Sequence, residues 1–408
     1  MIIDIINKKR IGKELSYKEI DYFFNGYLNG EITDYQMSSL LMAICINGMT
    51  DEETFALTKV FIDSGDVLDL SSIDGIKVDK HSTGGIGDKT TLIIAPIVAA
   101  CGVPVIKMSG RGLGHTGGTI DKLLSIPGYR VDLKDREIEA QVKEIGVVIT
   151  GQTKDLAPMD KVIYTLRDVT GTVSSIPLIA SSVMSKKIAC GTDKILIDIK
   201  AGNGALLKTK EDAQKLSVLL KKIGAIYDRE VRTIISDMNI PLGTSVGNAL
   251  EVLEAIDILK GKEQDNNLVE LSVELASEMI SMGLEISIEE AKNLVIQAID
   301  CGRAYKKFLE LVERQGGDIK GLTASSNKVV IKSNKKGTIT KINALGVGRL
   351  ALELGAGRVR KTDRIDYTVG VKLNKLVNDK VKKGEELMTL YIGKKNADVN
   401  IDEIFTIE

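Results

Sequence analysis

The pattern of apolar and polar positions gives the chain three textures. Over roughly the first sixty residues the apolar positions recur at helical spacing, and three helix-start signals follow one another: Ser16 with Glu19, Thr33 with Gln36, and Thr50 with Glu53. Each pair sets a side-chain oxygen at the free amides of a new helix, while the later residue reaches back. Gly30 and Gly48 stand where such helices should stop. After Gly65 the texture changes. Short apolar-rich stretches at 76–79, 103–108 and 146–150 read as strands, with helices at 90–101, where Pro96 is a kink point, and from about Thr119. Two successive helices at 158–168 and 173–189 interrupt this alternation, which resumes with strands at 195–199 and 231–236. From about residue 328, runs such as Val329–Lys332, Gly337–Thr340 and Leu387–Tyr391 alternate with Gly and Lys turns and read as strands.

Strands alternating with helices imply right-handed crossovers and a parallel sheet. The expected fold is therefore α/β: a small discontinuous all-helical domain (1–66 and 156–192), a large α/β domain with a mainly parallel sheet (67–155 and 193–327), and a C-terminal β-rich α+β domain (328–408). A length of 408 residues fits such a division.

Composition narrows the function. The formal net charge is −1, so no global field draws in nucleic acid or an anionic membrane, and a bound anion must be held by a local site. The lack of Trp and the low aromatic content argue against stacking platforms for single strands. The most apolar stretch, Leu92 to Cys101, is too short to span a bilayer. Cys45, Cys101, Cys190 and Cys301 form no C-x-x-C pair, so neither a metal cluster nor a disulfide framework is expected. Met1-Ile2-Ile3-Asp4 does not open a signal peptide, and the expected location is cytoplasmic.

The candidate chemistry lies between Val78 and Thr119. Lys80-His81-Ser82-Thr83-Gly84-Gly85-Ile86-Gly87-Asp88 and Lys107-Met108-Ser109-Gly110-Arg111-Gly112-Leu113-Gly114-His115-Thr116-Gly117-Gly118-Thr119 echo each other. Each ends a strand with Lys-x-Ser and enters a glycine-rich turn leading to a helix. Residues two apart on a strand share a face, and strand C-termini border the ligand crevice of an open α/β sheet. Glycines let amides approach an anion, and a helix N-terminus adds partial positive charge. The two loops thus read as one phosphate site, with Lys80 and Lys107 as charges and Ser82, Ser109, Thr91 and Thr119 as hydroxyl donors. The bland alternative is that glycine-rich turns only ease packing; Gly112 to Gly117 taken alone is a weak dinucleotide fingerprint, and Asp88-Lys89-Thr90 is not a Walker A motif.

Both histidines of the chain, His81 and His115, fall in these loops. In an extended segment His81 points away from Lys80 and Ser82, and an imidazole suits proton donation to a leaving group. A further group lies in the interrupting helices: Arg167-Asp168 and Ser181-Ser182-Val183-Met184-Ser185-Lys186-Lys187. Ser182 and Lys186 share a helix face. Alone this reads as a basic surface helix, but its apolar neighbours argue for burial, so these polar groups should face a cavity.

These stretches, together with Leu166-Arg167-Asp168-Val169-Thr170 and the run to Leu123, resemble the signatures of the thymidine/pyrimidine-nucleoside phosphorylase family, and the resemblance covers essentially the whole chain. It implies a homodimer whose substrate lies in a cleft between helical and α/β domains. Phosphate would be held by Lys80, His81, Ser82, Thr91, Lys107, Met108, Ser109 and Thr119, and the pyrimidine by Arg167, Ser182 and Lys186. Phosphate itself would be the nucleophile, so no catalytic Ser, Cys or carboxylate is needed. Arg167 and Lys186 would stabilise charge developing on the departing base, with His81 donating to a base oxygen. On this view Arg167→Ala and Lys186→Ala lower turnover far more than stability. Lys107 stands where members restricted to 2′-deoxynucleosides tend to have Met, which implies that uridine is accepted alongside thymidine and deoxyuridine. The resemblance further implies a monovalent cation, potassium, at Gly87, Lys89, Leu242, Ser245 and Glu254, and no organic cofactor. Lys89 departs from relatives with Thr there and would repel the ion unless turned away. A phosphoribosyltransferase of the anthranilate type shares the layout and stays open as an alternative, as does a non-catalytic nucleoside or phosphate sensor.

Overall fold

The computed structural model describes residues 1–112, 117–151, 156–262, 266–360, 362–395 and 398–408. Helices α1 (Ile2–Arg10), α2 (Tyr17–Leu28), α3 (Asp34–Asn47) and α4 (Asp51–Asp63) come first. Next are β1 (Val78–Ser82), α5 (Thr90–Ala100), β2 (Val105–Ser109), α6 (Thr119–Leu123), α7 (Asp135–Ile145) and β3 (Val147–Gly151). They are followed by α8 (Pro158–Thr170), α9 (Ile176–Ala189), β4 (Lys194–Ala201), α10 (Lys210–Ile226), β5 (Glu230–Asp237) and the short β6 (Ser245–Val246). Helices α11 (Asn248–Leu259), α12 (Asn267–Leu284), α13 (Ile288–Asp300) and α14 (Arg303–Arg314) precede the last part. That part comprises β7 (Lys328–Lys332), β8 (Gly337–Ile342), α15 (Ala344–Leu354), β9 (Gly370–Leu373), β10 (Lys380–Val381), β11 (Glu386–Tyr391), α16 (Ile401–Ile404) and β12 (Phe405–Ile407).

The chain forms two compact units, one of residues 1–72, 152–195 and 209–233, the other of 73–151, 196–208 and 234–408. The first is helical. Its helices begin where the paired signals stand: Ser16 and Thr50 each accept the N3 amide, while Glu19, Gln36 and Glu53 each accept a backbone amide at the N-cap. Phe23, Phe24, Leu41, Phe61, Met159 and Ile163 fill the core. Within it Lys9 and Glu53, each only 2% exposed, form an ion pair at 2.8 Å. Glu53 also accepts the Leu15 amide, so the capping side chain of α4 ties three segments together. The sequence pattern left α10 in the α/β part. It groups instead with the helical unit, because it packs on α9 and buries Leu216, Leu220 and Ile223.

In the second unit β2 and β3 pair in parallel, with Val105 opposite Val147 and Ser109 opposite Gly151. β1 lies beside β2 and belongs to a ladder of order β1-β4-β5, along whose last two strands the chain passes between units. Helix α5 is buried on every side from Thr90 to Val98, as an apolar sequence without a polar face requires, and it runs through Pro96 without a break. The sequence pattern assigned no element between 248 and 314; α11 to α14 fill that span and pack around α5 and one another. The last part holds two antiparallel ladders, β6-β9-β11-β7 and β10-β8-β12. β6 precedes that part by some 80 residues yet pairs with β9, Ser245 opposite Lys372 and Val246 opposite Val371. No helix among the described residues is long and apolar enough to cross a membrane.

Candidate active site

The first loop is organised from β1. Lys80 and Ser82, two apart on the strand, both turn to the segment that opens α5. The buried Lys80 ammonium donates to Thr90 Oγ1 at 2.6 Å and lies 3.3 Å from Asp198. Ser82 donates to Asp88 Oδ2 at 2.5 Å and accepts the Gly84 amide. Asp88 Oδ1 takes the Thr90 hydroxyl and amide. Lys200 pairs with Asp198 at 2.6 Å and approaches Asp88 at 4.0 Å. Burial opposes ionisation of Asp88, but the charges of Lys200 and Lys80 and the Ser82 and Thr90 hydroxyls outweigh it and hold the carboxyl well below the ordinary range. Thr91 is buried in the first turn of α5, and His81 is half-buried on the other face of β1.

The second loop follows β2. Lys107, Met108 and Ser109 are all buried. Lys107 donates to the Met108 carbonyl at 3.2 Å and lies 3.8 Å from Asp79, so Lys80 and Lys107 engage different carboxylates. The loop returns at Gly118, where an added Cβ would collide with the Gly112 nitrogen; only glycine allows that approach. Thr119 is the first residue of α6. Asp121 accepts the Gly112 amide and is clamped by Arg358 through both oxygens, at 2.9 and 3.2 Å. Lys122 joins the two loops, donating to the Asp88 carbonyl at 2.8 Å and pairing with Glu251. His115 lies outside the described residues.

The helical unit carries the third group. Lys186 donates to Asp160 Oδ2 at 2.6 Å and to Ser182 Oγ at 2.9 Å, and stands over the Tyr164 ring at 5.6 Å. Arg167 is 1% exposed. Its guanidinium donates to the carbonyls of Thr172, Leu178 and Val173 at 3.2, 3.1 and 2.7 Å. Burial pulls its pKa below the ordinary arginine value, while the Asp160 charge works the other way. The side chain thus fastens the end of α8 to the turn entering α9. Arg167→Ala would remove three hydrogen bonds of a buried side chain and leave a gap, so a loss of stability is expected beside any loss of turnover.

The five positions expected to hold potassium also converge, but around a charge already in place. The Lys89 ammonium donates to the Leu242 carbonyl at 3.0 Å, the Ser245 carbonyl at 2.8 Å and Glu254 Oε2 at 2.5 Å. Gly87, at φ +72°, lies so close that a Cβ would meet the Leu242 oxygen at 2.6 Å. Burial opposes ionisation of Glu254, yet the charge and hydrogen bond of Lys89 and the Thr244 donors hold its pKa below the ordinary value. Lys89 does not turn away from the cradle, as the sequence reading required for an ion to bind; it fills it.

The glycosyl transferase family α/β domain matches residues 74–305 and the family's helical bundle domain residues 3–65; the pyrimidine nucleoside phosphorylase C-terminal domain matches 338–406. The pyrimidine-nucleoside phosphorylase of Staphylococcus haemolyticus (strain JCSC1435) is 52% identical over 404 residues, spanning 97% of this chain and 93% of that protein. The chain belongs to the pyrimidine-nucleoside phosphorylase family. The Staphylococcus epidermidis member of the family is 50% identical over 417 residues, 100% of this chain and 96% of its own. The crystal structure of anthranilate phosphoribosyltransferase from Thermus thermophilus shares the fold over 76% of this chain and 99% of its own, with a TM-score of 0.61 at 17% identity.

Within this phosphorylase-family chain, sequence reasoning missed Asp79, Asp160, Asp198, Lys200 and Arg358. Each partners a residue that was singled out, or in the case of Arg358 and Lys200 a residue beside one. Their signal was faint because carboxylates and cations scattered along a charged chain carry no local pattern. The alternation of Asp198 with Lys200 on a strand whose other residues after Lys194 are apolar was the one trace available.

Proposed function

We propose that the chain catalyses the reversible phosphorolysis of pyrimidine nucleosides, uridine, thymidine and deoxyuridine, to the free base and α-D-(deoxy)ribose 1-phosphate. Family membership supports the reaction class. The observation that carries the reading is the chemical difference between the two polar groups. One surrounds strand ends and the N-terminus of α5 with lysines, hydroxyls and glycine loops, the chemistry of an oxyanion site. The other offers an ammonium and a hydroxyl on one helix face, the chemistry of a carbonyl-bearing base.

In this reading Lys80, His81, Ser82, Thr91, Lys107, Met108, Ser109 and Thr119 hold phosphate, and Arg167, Ser182 and Lys186 hold the pyrimidine. A phosphate oxygen bonds to C1 with inversion while the glycosidic C–N bond breaks and its electron pair goes to the base. Lys186 and Arg167 stabilise that charge; His81 donates to a base oxygen. Phosphate approaches donors that are already engaged by carboxylates, so binding exchanges one set of oxygens for another rather than filling a bare positive hole. The cytoplasm is the proposed compartment and a homodimer the proposed assembly; the thiols are free, which suits reducing conditions. The test is release of uracil and thymine from uridine and thymidine, with and without phosphate. Phosphate-dependent release of both is expected. Thymine alone would mark a thymidine-restricted enzyme, and no release would overturn the proposal.

A further inference from the structure

We infer that Lys89 is a built-in replacement for a monovalent cation, so that the anion-loop region of this chain is held by its own ammonium and is indifferent to potassium. A lysine ammonium has three N–H bonds and no acceptor. The three acceptors around Lys89 are two backbone carbonyls, from Leu242 and Ser245, and the Glu254 carboxylate. All three protons are therefore used, in a place where the lysine side chain has 0% exposure and Glu254 2%. Two carbonyls and one carboxylate are also a donor set for a monovalent ion, and an ammonium and a bare potassium ion are close in size. The cradle cannot hold both, since a second cation would stand against the first in a buried site where charges are weakly screened.

The placement of Lys89 gives the substitution a structural consequence. Lys89 is the N-cap of α5, and its own amide donates to the Gly87 carbonyl at 2.9 Å. It lies between Asp88, which takes Ser82 and Thr90, and the buried Thr91. Pinning Lys89 to the 242–245 segment and to α11 through Glu254 therefore fixes the turn on which the first loop's donors depend. The charge arrives with the chain and needs no ion from solution. Lys89 acts as a positioning residue, through the turn rather than on a substrate.

The test is a stability measurement that does not depend on any activity. Protein freed of alkali ions is melted in choline chloride and in potassium chloride at equal ionic strength, as the parent and as Lys89→Thr. The parent should melt at the same temperature in both salts. Lys89→Thr leaves Glu254 buried without its partner, and potassium should raise its melting temperature by on the order of 2 °C or more over choline. If the variant is recovered unfolded, refolding yield is read instead, and a higher yield in potassium supports the inference. A potassium-specific rise in the parent would overturn it. So would a variant that responds alike to both salts, in melting temperature or in refolding yield.

Discussion

Removing the Lys186 ammonium separates what that group does for the fold from what it does for the base. In Lys186→Met the Asp160 carboxylate loses its partner at 2.6 Å, and its other oxygen, Oδ1, has no hydrogen-bond partner among the described residues. Breaking a buried pair from one side costs about 3–5 kcal/mol. The Lys186 side chain is 16% exposed against 4% for Asp160, so water reaches part of the pair and about 2–3 kcal/mol is the better figure. Turnover should fall about 10²–10³-fold if the ammonium stabilises charge on the leaving base. The double variant Lys186→Met, Asp160→Asn removes the stranded charge. Its unfolding free energy in urea, followed by helical circular dichroism, should return to within about 1 kcal/mol of the parent, while phosphate-dependent uracil release stays low. Recovery of turnover along with stability would show that Lys186 serves only as the counter-ion of Asp160, and the base-site reasoning would be wrong.

Three other variants follow from the same geometry. Because the Asp88 pKa is depressed in the folded state, its stabilisation is complete above the ordinary carboxyl value of 3.8 and is lost progressively as pH falls from there through the lower folded-state value; the gap in melting temperature between the parent and Asp88→Asn should be wider at pH 6 than at pH 3, and a constant gap would contradict the assignment. Glu53→Gln leaves the Lys9 ammonium, now held by both carboxylate oxygens, buried without a counter-charge; a loss of about 3–5 kcal/mol is expected by urea denaturation, and less than about 1 kcal/mol would refute a buried ion pair there. Gly87→Ala forces a side chain onto a backbone at φ +72° and against the Leu242 carbonyl; a cost of about 1–3 kcal/mol is expected in thermal melts, and an unchanged midpoint would place the loop elsewhere.

Most elements were legible because their causes are local. The capping pairs of α2, α3 and α4 lie three residues apart, and β2 and β3 are short runs rich in apolar residues; β1, polar after Val78, begins two residues later than the stretch read as a strand. The grouping of α10 with the helical unit was not legible, since it depends on which side of α9 receives its apolar face. Nor was the pairing of β6 with β9, because two residues carry no strand pattern. The site divides in the same way. Lys80, Ser82, Lys107 and Ser109 were singled out by spacing and glycine context, and Ser182 and Lys186 by their place on one helix face. Arg167 was singled out too, but its three carbonyl partners were not, because they are set by the turn between two helices. Lys89 was read as an obstacle to a cation, since its role depends on residues more than 150 positions away.

The pairing of β6 with β9 bears on how the chain comes off the ribosome. Ser245, whose carbonyl meets Lys89, sits on β6, which pairs with Val371 and Lys372, and Asp121 is clamped by Arg358. Synthesis runs from the N-terminus, and earlier segments fold first. The loops after β1 and β2 are translated early but lack these contacts until over 240 further residues have emerged. A nascent chain arrested before Arg358 would thus carry the glycine-rich loops without their clamp, and ligand binding would report the arrival of the late segments rather than the early ones.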